Sequence, residues 1–579
     1  MRAVPTWFGP QGRPLFGWLH VPEGGMARGA VVCCPTMGVE YASAHRAIRT
    51  LAEQLAAAGF LALRFDYEGT GDSSGDESGP GQLESWRRSA REAVALVREC
   101  GAARVAMVGI RIGGTLAAET AASDGDVDAL VLWDPCGNGR SFVREQQALM
   151  ALSIGDLPSE GVELDPGAVE VLGSVLSAET VADLGTLDLT KVSPPLARRT
   201  LVLVRDDRPT PSRLARALGT EHVEWGVAEG QADLVDVLPD QARLPEAAIA
   251  MVLGWLLGNF GASPTTVTPV VREQAVVAAN ATTPVVERAV RLGPLGLFGI
   301  LTEPEGAPLG PTVLLLNAGL IHHIGPARLW VSLARRVAAA GMRCLRFDLS
   351  GLGDSPVRPG QPPHVGYPLE AAEDVASAAE ALCPGHHGDV VLTGLCAGAY
   401  HSIENGIALG ARGVCAINPI LSFDPPEVRT GGEVDEGRRA VQPFSPWVKA
   451  LRRFEWLAHF GEHKAPPSVW WALDRLGLQP HPAHGLNALA AKRVTTLVLC
   501  GEVEARPFER RAKWAMRRLE KSGLVRLEVL PSIDHTLFGA SGRARAIALL
   551  SEYFLATYLP APSSAGTPRV PAHPELVAP

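Results

Sequence analysis

The chain has 579 residues, enough for roughly two to four domains. With 46% hydrophobic and 20% charged residues, a net charge of −9 and no basic stripe, it reads as an ordinary globular protein and argues against a nucleic-acid partner. No charge-free apolar run reaches the roughly 20 residues of a membrane span, no signal-peptide pattern opens the sequence, and nine scattered cysteines predict a reduced, cytoplasmic protein.

Taken in order, short buried strands are expected at residues 14–20 and 30–34. A helix ending on Ala57-Ala58-Gly59 follows, then a strand into Arg64-Phe65-Asp66 and a turn at Gly69-Thr70-Gly71-Asp72-Ser73. Residues 105–108 form a strand that enters Gly109-Ile110-Arg111-Ile112-Gly113, with further strands at 130–133 and 200–204. Residues from about 139 to 196 fit no strand alternation and are expected to be a helical insertion above the sheet. A helix at 244–257 closes this part, and 261–269 reads as a linker.

The pattern then returns. Leu333 to Ser355 repeats Leu51 to Ser73 at one constant offset without a gap, which marks a duplicated domain and not a solenoid. Strands are expected at 312–316, 390–393, 413–417, 496–499 and 524–530, with a closing helix at 544–558. An insertion at about 423–492 is rich in large aromatics, read as the packed interior of a lid and compatible with an apolar acyl pocket. The tail 560–579 is expected to be disordered. Alternating strands and helices predict an α/β fold: two domains, 1–260 and 270–559, each a mostly parallel sheet covered by helices on both faces. Sites in such sheets lie beyond the carboxyl ends of the strands. The Gly-Asp-Ser turns are read as fold markers without chemistry, in which Asp354 and Ser355 hold the turn together by bonding locally to backbone.

Chemistry gathers at Gly394-Leu395-Cys396-Ala397-Gly398, between a buried strand and a helix. In a glycine-flanked strand–turn–helix elbow, the central side chain is pushed out above the sheet, and here it is a thiol. A thiol needs a base, and the base needs an orienter. Glu504 follows one late strand and His535 the next, in the order nucleophile, acid, histidine. Glu502 and Asp534 remain alternative orienters, and Cys396 as one more small buried residue, like Cys33, Cys34, Cys344, Cys415 and Cys500, is the alternative to a nucleophile.

On its paired Arg-Phe-Asp and Gly-Asp-Ser motifs and its Gly-Leu-Cys-Ala-Gly elbow, the chain resembles the α/β-hydrolase superfamily in both copies. Within it, the chain resembles the serine-aminopeptidase-like hydrolases, a group that includes hydrolases found beside bacterial exosortase and polysaccharide systems. The resemblance implies two tandem α/β-hydrolase domains. It places Cys396 at the nucleophile, Glu504 at the acid and His535 at the base position, and assigns the oxyanion hole to the N–H groups of Ala397 and Ala318. It calls for no cofactor and no metal. The sequence departs from the family in having Cys for the usual Ser and Glu for the commoner Asp. His322 and Arg328, just beyond the Asn317 loop, are expected either to contact a polar or acidic substrate or, the favoured reading, to form a solvated helix start.

In the first copy Arg111 stands at the nucleophile position, Arg208 at the acid and Gln231 at the histidine, so that copy is expected to be non-catalytic. Arg111 is either an anion anchor or, preferably, a structural partner of Asp206 or Asp207. For the second copy a thiolate suits thioesters, and an S-acyl-cysteine stays activated for transfer. The expected function is an acyl hydrolase or acyltransferase acting on a small-molecule ester or thioester, carrier- or CoA-bound among the options. Two alternatives stand beside it: a lactone or ester hydrolase like the dienelactone hydrolases, and a non-catalytic scaffold.

Overall fold

The computed structural model describes residues 2–419 except 77, 125–126, 155–164, 193–195, 209–211, 220, 260–262 and 279–282, and then 429–430, 433–434, 468 and 483–560. Most of the aromatic-rich insertion and the tail from 561 onward lie outside the described residues.

The first half builds one eight-stranded sheet from β1 (Arg2–Phe8), β2 (Leu15–Val21), β3 (Ala30–Cys34), β4 (Leu61–Phe65), β5 (Val105–Ile110), β6 (Ala129–Trp133), β7 (Arg199–Arg205) and β8 (Val223–Ala228). Their spatial order is β1-β2-β4-β3-β5-β6-β7-β8. β1, β2 and β4 pair antiparallel, and from β4 onward every pairing is parallel. The central strands are buried along their whole length because helices cover both faces. The two-residue period sends Val32 and Cys34 into one core and Val31 and Cys33 into the other.

The second half repeats this plan with β9 (Gln274–Ala278), β10 (Val285–Leu292), β11 (Leu297–Pro304), β12 (Thr312–Leu315), β13 (Cys344–Phe347), β14 (Val390–Leu395), β15 (Gly413–Ile417), β16 (Thr495–Cys500) and β17 (Val525–Val529). Their order is β9-β10-β11-β13-β12-β14-β15-β16-β17, parallel from β13 to β17. The five cysteines read as small buried hydrophobes are all buried.

The first insertion is not wholly helical as expected. Helix Gly139–Ile154 is followed by a hairpin of Val169–Val171 with Ser174–Leu176, then by helix Ala178–Leu184. Gly173, at φ +87°, makes the hairpin turn between β-branched residues too few to show alternation.

The two halves meet face to face about an approximate twofold relation. Phe16 of β2 stacks on its repeat counterpart Phe298 of β11 at 6.4 Å. Arg64 of the first half bonds Asp354 of the second, and Arg346 of the second bonds Asp72 of the first. Arg346 also holds Glu287 at 2.7 Å, and His323 bridges Asp348 at 2.8 Å and Asp72 at 2.7 Å. The Gly-Asp-Ser motif is therefore more than a local turn. Ser355 does hold its own turn through the Asp348 carbonyl, but the Asp354 carboxylate reaches the other domain.

Removing one member of a buried ion pair leaves the other desolvated and unmatched. Arg346→Met takes one cation from both Asp72 and Glu287, leaving Asp72 to His323 and Glu287 to Arg335, and is expected to destabilise the protein by about 3 kcal/mol, read as a lower denaturant midpoint. Burial lowers the His323 pKa, but Asp72 and Asp348 outweigh it and raise it to about 10. A raised pKa stabilises the fold fully below the unfolded value of 6.5 and loses that contribution as pH climbs through about 10. The stability gap between wild type and His323→Gln, followed by denaturation against pH, is expected to be widest near pH 6 and to shrink toward pH 10; a pH-independent gap would count against the buried imidazolium.

Candidate functional site

β14 runs straight into Cys396, whose backbone sits at φ 54° and ψ −112° as N-cap of helix Ala397–Leu409. A non-glycine residue in this conformation is held there by its surroundings. Both flanking glycines are required by space. A Cβ on Gly394 would lie 2.1 Å from the Gly398 carbonyl carbon, and one on Gly398 would lie 2.6 Å from the Asn317 oxygen. The second contact also shows that the loop carrying Ala318 lies against the elbow. Ala397 opens the helix, where an N–H has no i−4 carbonyl to bond. The thiol is half-buried.

The loops after β16 and β17 bring two more side chains to this end of the sheet. His535 Nδ1 lies 3.1 Å from Glu504 Oε1. Interaction with the neighbouring Cys396 thiol, then the bond to Glu504, raise the His535 pKa to about 10, against the lowering effect of its burial. Burial pushes the Glu504 carboxyl up, but the bond from His535 and a backbone N–H hold it below its ordinary value. Among the candidate orienters only Glu504 meets the ring. Glu502 is exposed, and the Asp534 carboxylate is taken up by the Thr536 hydroxyl at 2.7 Å and the N–H groups of Phe538 and Gly539 at 3.0 Å.

Three contributors are not evident from the sequence. Asn418, fully buried just after β15, donates to the Asp534 carbonyl at 3.1 Å and the His535 carbonyl at 2.9 Å, and accepts from the Gly501 N–H at 2.9 Å. It thus ties the histidine loop to the acid loop; its place just past a parallel strand was the one available signal. The Tyr367 hydroxyl lies 3.8 Å from the Cys396 sulfur. Burial, then the neighbouring Cys396, push the Tyr367 pKa up, so the phenol keeps its proton. The third comes from the other domain. Glu170 accepts from the Ala540 N–H at 2.7 Å, and Phe538 packs with Val39 and Leu172, so the first domain braces the segment that follows His535.

Two expected site residues lie elsewhere. The Arg328 guanidinium is bound by the carbonyls of Gly69 at 2.6 Å, Gly71 at 2.9 Å and Ser73 at 2.9 Å in the first domain. His322 stacks on His45 of the first domain at 4.0 Å, and burial followed by its neighbours His45 and His323 holds its pKa well below normal. Both are buried at the domain junction, which replaces both the substrate-contact and the solvated-helix readings with a structural one.

In the first domain Arg111 occupies an elbow of the same shape, at φ 54°. Its buried guanidinium meets Glu40 at 3.4 Å, Asp134 at 3.2 Å and also Glu145. The expected partners Asp206 and Asp207 are not these; Asp207 pairs with Arg205 at 2.8 Å. Three carboxylates around one guanidinium leave no net positive charge to anchor an anion. Gln231 accepts from the Trp133 indole N–H at 2.8 Å and donates to Asp134 at 3.2 Å, while Arg208 sits at the surface near Glu145 and Asp236. The residues at the nucleophile and histidine positions are thus locked into a buried network.

Residues 313–548 match the model of the alpha/beta hydrolase family, and residues 25–158 match the model described as serine aminopeptidase, S33. No curated protein matches. Among solved structures, Est1E from Butyrivibrio proteoclasticus aligns at 16% identity over 44% of this chain and 98% of its own, with a TM-score of 0.33. The alpha/beta hydrolase GrgF from Penicillium sp. sh18 aligns at 18% identity over 45% and 98%, with a TM-score of 0.34. Proline iminopeptidase from Mycobacterium smegmatis aligns at 13% identity over 44% and 98%, with a TM-score of 0.31. A family model falls on each half, each half builds the same run of parallel strands, and each carries a glycine-flanked elbow after the corresponding strand: the chain belongs to the α/β-hydrolase superfamily, with two domains of that fold in tandem.

Proposed function

We propose that the second domain, residues 270–559, is an acyl hydrolase or acyltransferase that works through an S-acyl-Cys396 intermediate on a thioester or ester. The observation that carries this reading is His535, held by Glu504 at 3.1 Å and so close to the Cys396 thiol that the thiol is the largest influence raising its pKa. His535 takes the thiol proton, and the sulfur attacks the acyl carbonyl carbon. A C–S bond forms and the carbonyl electron pair moves onto oxygen, where the N–H groups of Ala397 and Ala318 receive it, each worth about 3 kcal/mol in comparable sites. Collapse breaks the bond to the leaving thiolate or alkoxide, which takes the proton from His535. Water or an acceptor alcohol or amine then gives its proton to His535, attacks the S-acyl carbon and frees the cysteine. Glu504 fixes the ring and balances the imidazolium charge. Tyr367 bounds the sulfur from the opposite loop. A small-molecule acyl donor, free or on a carrier or CoA, fits this chemistry. The first domain, with arginine where a nucleophile would stand, serves as a non-catalytic brace.

Incubation with short acyl-thioesters is expected to add one acyl mass to the wild-type protein and none to Cys396→Ala, with turnover lower by more than about a thousandfold in the variant. Unchanged turnover in Cys396→Ala would end this reading. The His535 ring, followed by NMR through a pH titration, is expected to stay protonated up to about pH 10. Because the neighbouring Cys396 is the largest cause of that shift, the titration point is expected to drop in Cys396→Ala, and by less in Glu504→Gln.

A further inference from the structure

The approximate symmetry that pairs Arg64 with Asp354 and Arg346 with Asp72 is broken ahead of helix Leu329–Ala339. In the second domain Ala327 and Arg328 take left-handed backbone, at φ 49° and 56°, just ahead of helix Leu329–Ala339. That turn delivers Arg328 onto the carbonyls of the first domain's glycine turn. At the offset that matches Leu51 to Leu333, the counterpart of Arg328 is Arg46. Arg46, however, lies inside helix Val39–Ala57, which begins ahead of this position, so its side chain leaves from a regular helical face. The second domain's turn at Gly351 and Gly353 is therefore left unfilled by Arg46. Arg49 donates to the Gly353 carbonyl instead and is itself held by Glu53 at 2.8 Å.

An open cleft remains on that side, between the domains, lined by Arg46, Arg49, Arg243, Glu53 and His364 among others. Three guanidinium groups thus face one carboxylate. Among the described residues, neither the Arg46 nor the Arg243 side chain has a hydrogen-bond or ion-pair partner. Half-buried Arg46 has its pKa lowered by burial, which Glu246, acting from beyond ion-pair distance, offsets only in part. His364 is half-buried and kept neutral, its pKa lowered to about 4 by burial and then by Arg46 and His45.

We propose that this cleft binds a phosphate-bearing ligand, gripped by Arg46 and Arg243 with Arg49 behind them. Two unmatched guanidinium forks call for a multiply charged, multidentate anion, which a phosphate offers and a single carboxylate does not. Leu320, two residues past Ala318, lines the same cleft, so an occupant would touch the loop beside the elbow. The inference does not depend on the chemistry assigned to Cys396.

The probe is pyrophosphate, titrated into the full chain at constant ionic strength and followed by calorimetry and melting temperature, with acetate as the control. Saturable binding is expected, roughly tenfold weaker in Arg46→Gln and in Arg243→Gln and unchanged in Arg213→Gln, an exposed arginine on another helix. Arg243 is itself exposed, so its variant tests the site even where Arg46→Gln fails to fold. No saturable binding, or equal binding in Arg243→Gln and wild type, overturns the site; acetate binding as tightly as pyrophosphate overturns its assignment to phosphate.

Discussion

The structure hangs on a reciprocal exchange of buried charge. Each domain carries an arginine on a strand and an aspartate on the following turn, and each aspartate is matched across the junction: Arg64 meets Asp354, and Arg346, which also holds Glu287 of its own domain, meets Asp72. A charge taken from water must meet an opposite one, so each half completes the other. The turns themselves are held locally, by Asp66 and Asp348 accepting the N–H groups of Asp72 and Asp354. Local bonds therefore set where the second aspartate points, and the partner domain supplies what it points at.

This dependence gives a physical reason for a domain without a nucleophile to persist. Its elbow keeps the left-handed residue and the two crowded glycines, since these follow from packing a helix onto a strand end and not from catalysis. Around the buried arginine in the central position, Glu40, Asp134 and Glu145 form a salt-bridge cluster. The same domain sends its insertion hairpin to the segment after His535, through Glu170 and Leu172. In the second domain the elbow cysteine stays half-exposed beside an imidazole that is oriented from behind by Glu504 and anchored below by Asn418.

Much of this was legible in the residues. The central strands showed as short β-branched runs because a parallel sheet covered on both sides buries every side chain. Gly394 and Gly398 showed because only glycine fits where two backbones approach so closely. The edge strands β1 and β8 escaped notice, their partly exposed patterns having no continuous apolar run. The hairpin at 169–176 escaped for the same reason. Asp354 looked like an ordinary turn residue because the chain around it offers local amides and no hint of a distant arginine.

The sequence by itself determined the two-domain α/β plan, the arginine at the elbow of one copy against the cysteine of the other, and the order in which Cys396, Glu504 and His535 follow their strands, since each depends on neighbours close in the chain. Only the tertiary structure decided which carboxylate meets Arg111, that Arg328 serves the domain junction, and that Tyr367 and Asn418 flank the elbow. Those outcomes depend on how two sheets and their loops stack in space, and residues hundreds of positions apart carry no local signature of the partner they will find.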